Sequence, residues 1–438
     1  MRGRKFVKAK ALLLFVSFAC LPTVNAFGQV DCNTSHKLVC QFPFNAQTLA
    51  VFNAGSSSAT ALDTAAEAVS VPINASIATQ LTQLPIPSST VGVVTLQQKD
   101  NPLGVPFENL GPVLTDRPDT VGKGHLFIGF SYQHFNFNSL NGHALGTIPI
   151  GFTYTSGSTT SPISNYDAVS NRVSFKLDQY IAVATYGITR RSDLTLVVPV
   201  NSASLDVTTD NFQGYQYANG IYGTITSPTT TVYSSGSASG VGDVTLSFKQ
   251  LLIGGEGTRT AIAAGVVVRF SSGDALNYLG SGAFGGNIYG LVEYRARVAP
   301  HLKISYQYNN DSQVMNLQKS SNTRLPGGIQ YDLGADARVN RHLTLAGDLL
   351  GSQFVDVPAF TLGTLTLPGN PAASGITATT IPNTTSAGTN TYTTVNVSGG
   401  LKLAIGKHFI FYGNALKQTN NVGLRSDVVP QCGMAFKM

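Results

Sequence analysis

From Gly124 onward the chain alternates apolar and polar residues in segments of about ten. These begin at Gly124, Arg172, Leu194, Val241, Arg259, Asn287, Leu302, Gly328, Leu343, Tyr392, His408 and Leu424. A period of two sends successive side chains to opposite faces, so each segment predicts a strand with one greasy and one polar face. The connections alternate between short and long. Tight ones fall at Thr189–Asp193, Gly254–Thr258, Ala299–His301, Asn340–His342 and Gly406–His408. Ser/Thr/Gly/Asn-rich loops fall at about 138–171, 204–240, 271–286, 309–327, 355–391 and 416–423. Regular strands with one tight and one loose end predict an all-β fold, a transmembrane antiparallel β-barrel of about 12 strands spanning residues 121–438.

Sorting by face sharpens this picture. Leu194, Leu196, Val198 and Val200 share one parity, as do Ile262, Ala264, Val266, Val268 and Phe270; these predict a lipid-facing surface. The opposite parity gathers Lys176, Asp178, Asp243, Lys249, Arg269, Glu293, Arg295, Arg297, Lys303, Asp332, Asp336, Arg338, Asp348 and Lys402. A charge at the bilayer midplane on the lipid side costs about 2–4 kcal/mol, so these are candidates to line the lumen. Both signs occur, which leaves open a salt-bridge network filling a narrow barrel and a polar track for a permeant. Trp is absent, so the interfacial girdle falls to aromatic residues such as Tyr132, Tyr180, Tyr186, Tyr294, Tyr306, Tyr308, Phe409 and Phe411.

The first residues read differently. Arg2, Arg4, Lys5, Lys8 and Lys10 precede an apolar run from Ala11 to Leu21 and the small-residue site Val24-Asn25-Ala26, the pattern of a signal peptide over residues 1–26. Its removal takes five of 28 basic residues and leaves 23 against 22 acidic, so the excess positive charge argues nothing for nucleic acid. Cys20 as a lipid attachment site is the alternative, though the Leu usually found three residues earlier is missing. Residues 27–120 predict an N-terminal region that either plugs the barrel or sits in the periplasm. Within it, Cys32 and Cys40 predict a local disulfide clipping Asp31–Pro43. Thr60–Leu84 is Ala-rich with helical spacing interrupted by Pro72.

Beyond the leader, no apolar run approaches the ~18–20 residues of a membrane-spanning helix. Charged residues are 11% of the chain, against about 25% in soluble domains, which suits a barrel with a lipid face and polar loops.

Three motifs carry a family resemblance. Gly240-Val241-Gly242-Asp243 opens one strand; Val268-Arg269-Phe270-Ser271-Ser272-Gly273-Asp274 closes the next and leads to Leu279-Gly280-Ser281-Gly282. Thr115-Asp116-Arg117-Pro118-Asp119-Thr120-Val121-Gly122-Lys123-Gly124 precedes the first strand. Together they resemble the outer-membrane barrel family named for the MetA pathway of phenol degradation, with Ser271 and Ser272 where that family has Pro and Thr. The resemblance covers about residues 115–438 and implies a channel for small, often aromatic or hydrophobic compounds. In physical terms Gly240 and Gly242 permit a close approach, and Asp243 can anchor it through backbone hydrogen bonds.

The expected location is the outer membrane and the expected role a passive channel or transporter into the periplasm, with lipid and a small permeant as partners. Phe436, two residues before the end, is the candidate insertion signal for the barrel-assembly machinery. The alternative is a non-conducting structural or surface-interaction barrel. No hydrolase elbow or zinc-protease motif is present, and Gly280–Gly285 matches a dinucleotide pattern without opening a helix. No cofactor is expected, and the His-containing turns lack metal-ligand spacing.

Overall fold

The computed structural model describes residues 32, 35–54, 73–86, 113–158, 161–218, 221–225, 230–254, 258–316, 324–340, 342–367, 379–405 and 409–437. The leader 1–26 and residues 60–72 lie outside these. Twelve antiparallel strands form a closed barrel. They are β1 (Leu126–Leu140), β2 (Ser161–Gly187), β3 (Ser192–Ala218), β4 (Thr231–Val241 and Thr245–Ile253), β5 (Thr260–Arg269) and β6 (Gly285–Tyr294). There follow β7 (Val298–Asn309), β8 (Gly328–Arg338), β9 (Leu343–Leu367), β10 (Thr379–Ile405), β11 (Phe409–Gln418) and β12 (Val428–Lys437). Each pairs with its sequence neighbour, and β1 pairs with β12 from Phe127↔Lys437 to Gln133↔Gln431, which closes the ring. Closure leaves none of the twelve strands as an edge along the ring itself.

Side chains then divide by parity. Ile288, Ile304, Leu333, Leu345 and Leu401 stand exposed on the outside, together with the predicted girdle residues Tyr180, Tyr186, Tyr294, Tyr306, Tyr308, Phe409 and Phe411. Their neighbours one position along are buried, for example Leu291 and Glu293, Ser305 and Gln307, Thr344 and Ala346. An apolar outside around a partly polar inside reverses the pattern of a soluble barrel.

Two expectations are corrected. Loops predicted over 138–171, 204–240 and 355–391 carry much of their length as paired hairpins: β2 meets β3 as far as Ser164↔Tyr217, and β9 meets β10 as far as Leu367↔Thr379. Thr, Tyr and Val favour extended backbone even where both faces are polar, so polarity alone misled. The short turn predicted at Ala299–His301 lies instead between Tyr294 and Val298, and Pro300 and His301 belong to β7. The expected disulfide is present. Cys32 and Cys40 are joined, with Cα atoms 5.1 Å apart, but a helix, α1 (Gln41–Ala54), starts directly after Cys40. Pro43 sits in its first turn, where a missing N–H costs nothing. Residues 73–81 are also helical.

Candidate functional site in the barrel interior

At the short-turn end, residues 113–121 lie against the buried face of the barrel. Val113 and Val121 pack with Phe127, Ala346, Ile410 and Tyr412. Arg117, 5% exposed, donates from Nε and Nη2 to Glu293 Oε1, the first of these at 2.9 Å. Asp119 accepts from Arg295, and Lys249 Nζ donates to Arg117 O at 2.9 Å and faces Asp116 at 3.4 Å. Thr115 Oγ1 donates to Asp348 at 3.0 Å, and Val121 N donates to Asp193 at 3.0 Å. Burial alone lowers the pKa of Arg117, but the carboxylates of Glu293, Asp119 and Asp336 outweigh it and hold the guanidinium above its usual value. Next to this belt, His301 lies 2.8 Å from Asp348 and 3.5 Å from Asp336, all buried, and the buried Lys402 faces both carboxylates.

At the long-loop end, three motif glycines and Asp243 build a corner. Asp243 accepts from Gly273 N at 3.2 Å and Ser281 N at 2.8 Å, with Arg269 Nε at 3.6 Å. A Cβ on Gly242 would meet Asn201 Nδ2 at 2.6 Å, and one on Gly273 would meet Gly280 Cα at 2.7 Å, so only glycine permits this approach. The neighbouring interior holds further described residues of the N-terminal region. Asn45 of α1 donates to Val207 O and Thr209 Oγ1, each at 3.0 Å, and Gln133 donates to Pro85 O at 2.9 Å. Lys37 pairs with Asp274 at 2.8 Å. Burial pushes the Asp274 pKa up, yet hydrogen bonds from Lys37 and Asn277 outweigh that and leave it below the ordinary value. Inside the wall, rings pack in series: Phe135 with Phe137, Phe137 with Phe175 at 5.0 Å, and Phe175 edge-on to Tyr278 at 5.5 Å.

Of the fourteen candidate charges, Asp243, Lys249, Arg269, Glu293, Asp336, Asp348 and Lys402 have buried side chains on the inner face. Arg295 and the 3.5 Å pair Lys303–Asp332 lie there half-buried. Arg297 is exposed in a short turn, and Arg338 reaches the Asn340 carbonyl in another. Lys176 and Asp178 overturn the inward expectation. They share the outer parity of exposed Tyr180, while Phe175, Leu177, Gln179 and Ile181 face inward. Charge misassigned β2 because the interior there is aromatic. Outside, Asp178 is satisfied by Tyr132 Oη at 2.6 Å and His134 Nδ1 at 2.8 Å. Missing from the candidates were Asp116, Arg117, Asp119, Asp193 and His301. The first three lie within the motif at 115–124, whose density of charge before the first strand was the available signal. Among the described residues, no group of three or more His, Cys, Asp or Glu is arranged to hold a metal ion.

No family model and no curated protein matches the chain. Among solved structures, it is similar to the COG4313 outer membrane channel from Pseudomonas putida F1. That likeness has 14% identity over 73% of this chain and 98% of the other, with a TM-score of 0.42. The Pseudomonas putida toluene transporter TodX is 9% identical over 73% and 90%, with a TM-score of 0.26. A Pseudomonas aeruginosa FadL homologue is 8% identical over 72% and 88%, with a TM-score of 0.27. Scores this low leave the strand pairing itself as the ground for the barrel.

Proposed function

We propose that this chain is an outer-membrane channel for small molecules, closed at rest by its N-terminal region acting as a plug. The observation that carries it is a closed barrel, apolar outside, whose charged inner face grips residues 113–121 from within. An apolar outer surface on a closed sheet suits lipid, since every backbone group is paired within the ring. A twelve-stranded barrel falls between the roughly eight strands that side chains fill and the sixteen or more that leave an open pore, so a segment inside it decides whether solute passes. The Cys32–Cys40 bond suits the oxidising space beyond the inner membrane. Single-channel recording on the full mature chain tests the reading. Brief openings that become long-lived when the plug contacts are weakened are expected; a silent bilayer in both cases overturns it.

A second reading, a sealed barrel that meets partners outside the cell, draws on the paired hairpin β9–β10, which runs on to Leu367↔Thr379. Shortening that hairpin separates the two: lost surface binding with unchanged solute uptake favours the second.

A further inference from the structure

Between the N-terminal region and the wall at the long-loop end lies an interior cavity of about 190 Å³. Among the described residues three charged side chains line it: Lys303, Asp332 and Arg425. Lys303 and Asp332 pair with each other at 3.5 Å, which leaves Arg425 as the surplus charge. Arg425 is 4% exposed. Its guanidinium donates to the carbonyl oxygens of Asn420 at 3.3 Å and Val395 at 2.9 Å and to Asn396 Oδ1, all neutral acceptors. It forms no ion pair with a carboxylate among the described residues. A buried cation held only by neutral dipoles is costly, and an anion brought beside it recovers Coulomb energy at low dielectric.

The remaining wall restricts what that anion can be. Ile86, Phe135, Phe137, Leu416, Leu424 and Val429 give the cavity an apolar side, and Gln83, Gln330 and Ser352 add neutral polar groups, so an anion that carries an apolar body engages both parts of the wall. An apolar cavity of about 150 Å³ takes a benzene ring, so the space here suits one ring and a small substituent. We infer that this cavity binds a small monocarboxylate with an apolar, ring-sized body, its carboxylate on Arg425 and its body against the aromatic wall. This deepens the channel reading by naming a class of permeant, and its physiological meaning rests on that reading. Arg425 supplies selection as well as affinity, because a site built around a charged hydrogen bond rejects the neutral analogue. The ion pair Lys303–Asp332 adds no net charge, so a dicarboxylate gains nothing from its second group.

Isothermal titration of the full mature chain in detergent at neutral pH tests this, with benzoate and benzyl alcohol as probes. Benzoate is expected to bind the unaltered protein about tenfold or more tightly than benzyl alcohol. Arg425→Met should erase that preference while leaving benzyl alcohol binding unchanged, and Arg425→Lys should keep part of it. Equal affinity of the unaltered protein for the two probes, or no benzoate binding, overturns the inference even if neither variant folds. The titration does not depend on conduction. A barrel that prefers benzoate yet passes no solute retains this site and loses the channel, whereas a conducting barrel indifferent to charge does the reverse.

Discussion

At the short-turn end the N-terminal region is gripped by charge: Arg117, Asp119 and Asp116 meet Glu293, Arg295 and Lys249 out of water. At the long-loop end α1 and residues 73–86 are held mostly by neutral groups, with Asn45 on Val207 and Thr209, a long 3.5 Å contact from Arg269 to Thr82 O, and nearby an ion pair, Lys37–Asp274, that is about 40% exposed. Opposite charges buried together are hard to separate, because each is stranded when its partner leaves. Amide and ring contacts exchange with water at far smaller cost. The contrast points to a hinge-like division of labour, in which the short-turn end stays closed longest and the long-loop end yields first.

The largest expected effect comes from Arg117→Ala. It leaves the buried Glu293 without its guanidinium, a loss of about 3–5 kcal/mol, while Asp119 keeps Arg295. The barrel's heat-modifiable electrophoretic band should convert at a clearly lower temperature, and channel openings should lengthen. A smaller loss, about 1–3 kcal/mol, is expected for Asn45→Ala, which leaves Val207 O and Thr209 without their donor. Faster protease cleavage near α1 with unchanged cleavage near residue 117 would show it. Equal effects from the two substitutions would erase the distinction between the ends.

The smallest effect is the response of the long-loop tether to acid. Asp274 has a lowered pKa in the folded protein, so its pairing with Lys37 contributes fully above the ordinary carboxylate value of about 4. That contribution fades as pH falls through the lower folded value. Because the pair is substantially exposed, its share is at most about 1 kcal/mol. Amide exchange in residues 35–40 should quicken below about pH 4 in the unaltered protein. Asp274→Asn should make the same residues exchange faster at neutral pH and remove the acid response.

Period-two alternation made the barrel legible, since each strand needs one greasy face and the turns at one end are too short to carry anything else. All twelve segments correspond to strands, although Thr-rich hairpins ran further than their polarity suggested. The interior was only partly legible. Most candidate charges from Asp243 to Lys402 face inward, where they pair with one another or with residues 115–119. On β2 the same rule failed at Lys176 and Asp178, where an interior occupied by Phe137 and Tyr278 takes the apolar parity and Tyr132 with His134 supplies a polar shell outside. The partners contributed by the segment at 115–121 could not be placed from alternation, because that stretch has no period of its own. Its fit inside depends on contacts more than one hundred residues distant, such as Arg117 with Glu293.

The seam between β1 and β12 joins Phe127 to Lys437, positions at opposite limits of the sheet. Contacts so far apart along the chain form last, since their loop-closure entropy must be met before any pairing rewards it. Residues 113–121, which contact the inner face, precede every strand of the wall along the chain. If the cylinder is wrapped around an occupant made before it, a defect in that occupant is expected to be felt as a failure of closure during biogenesis.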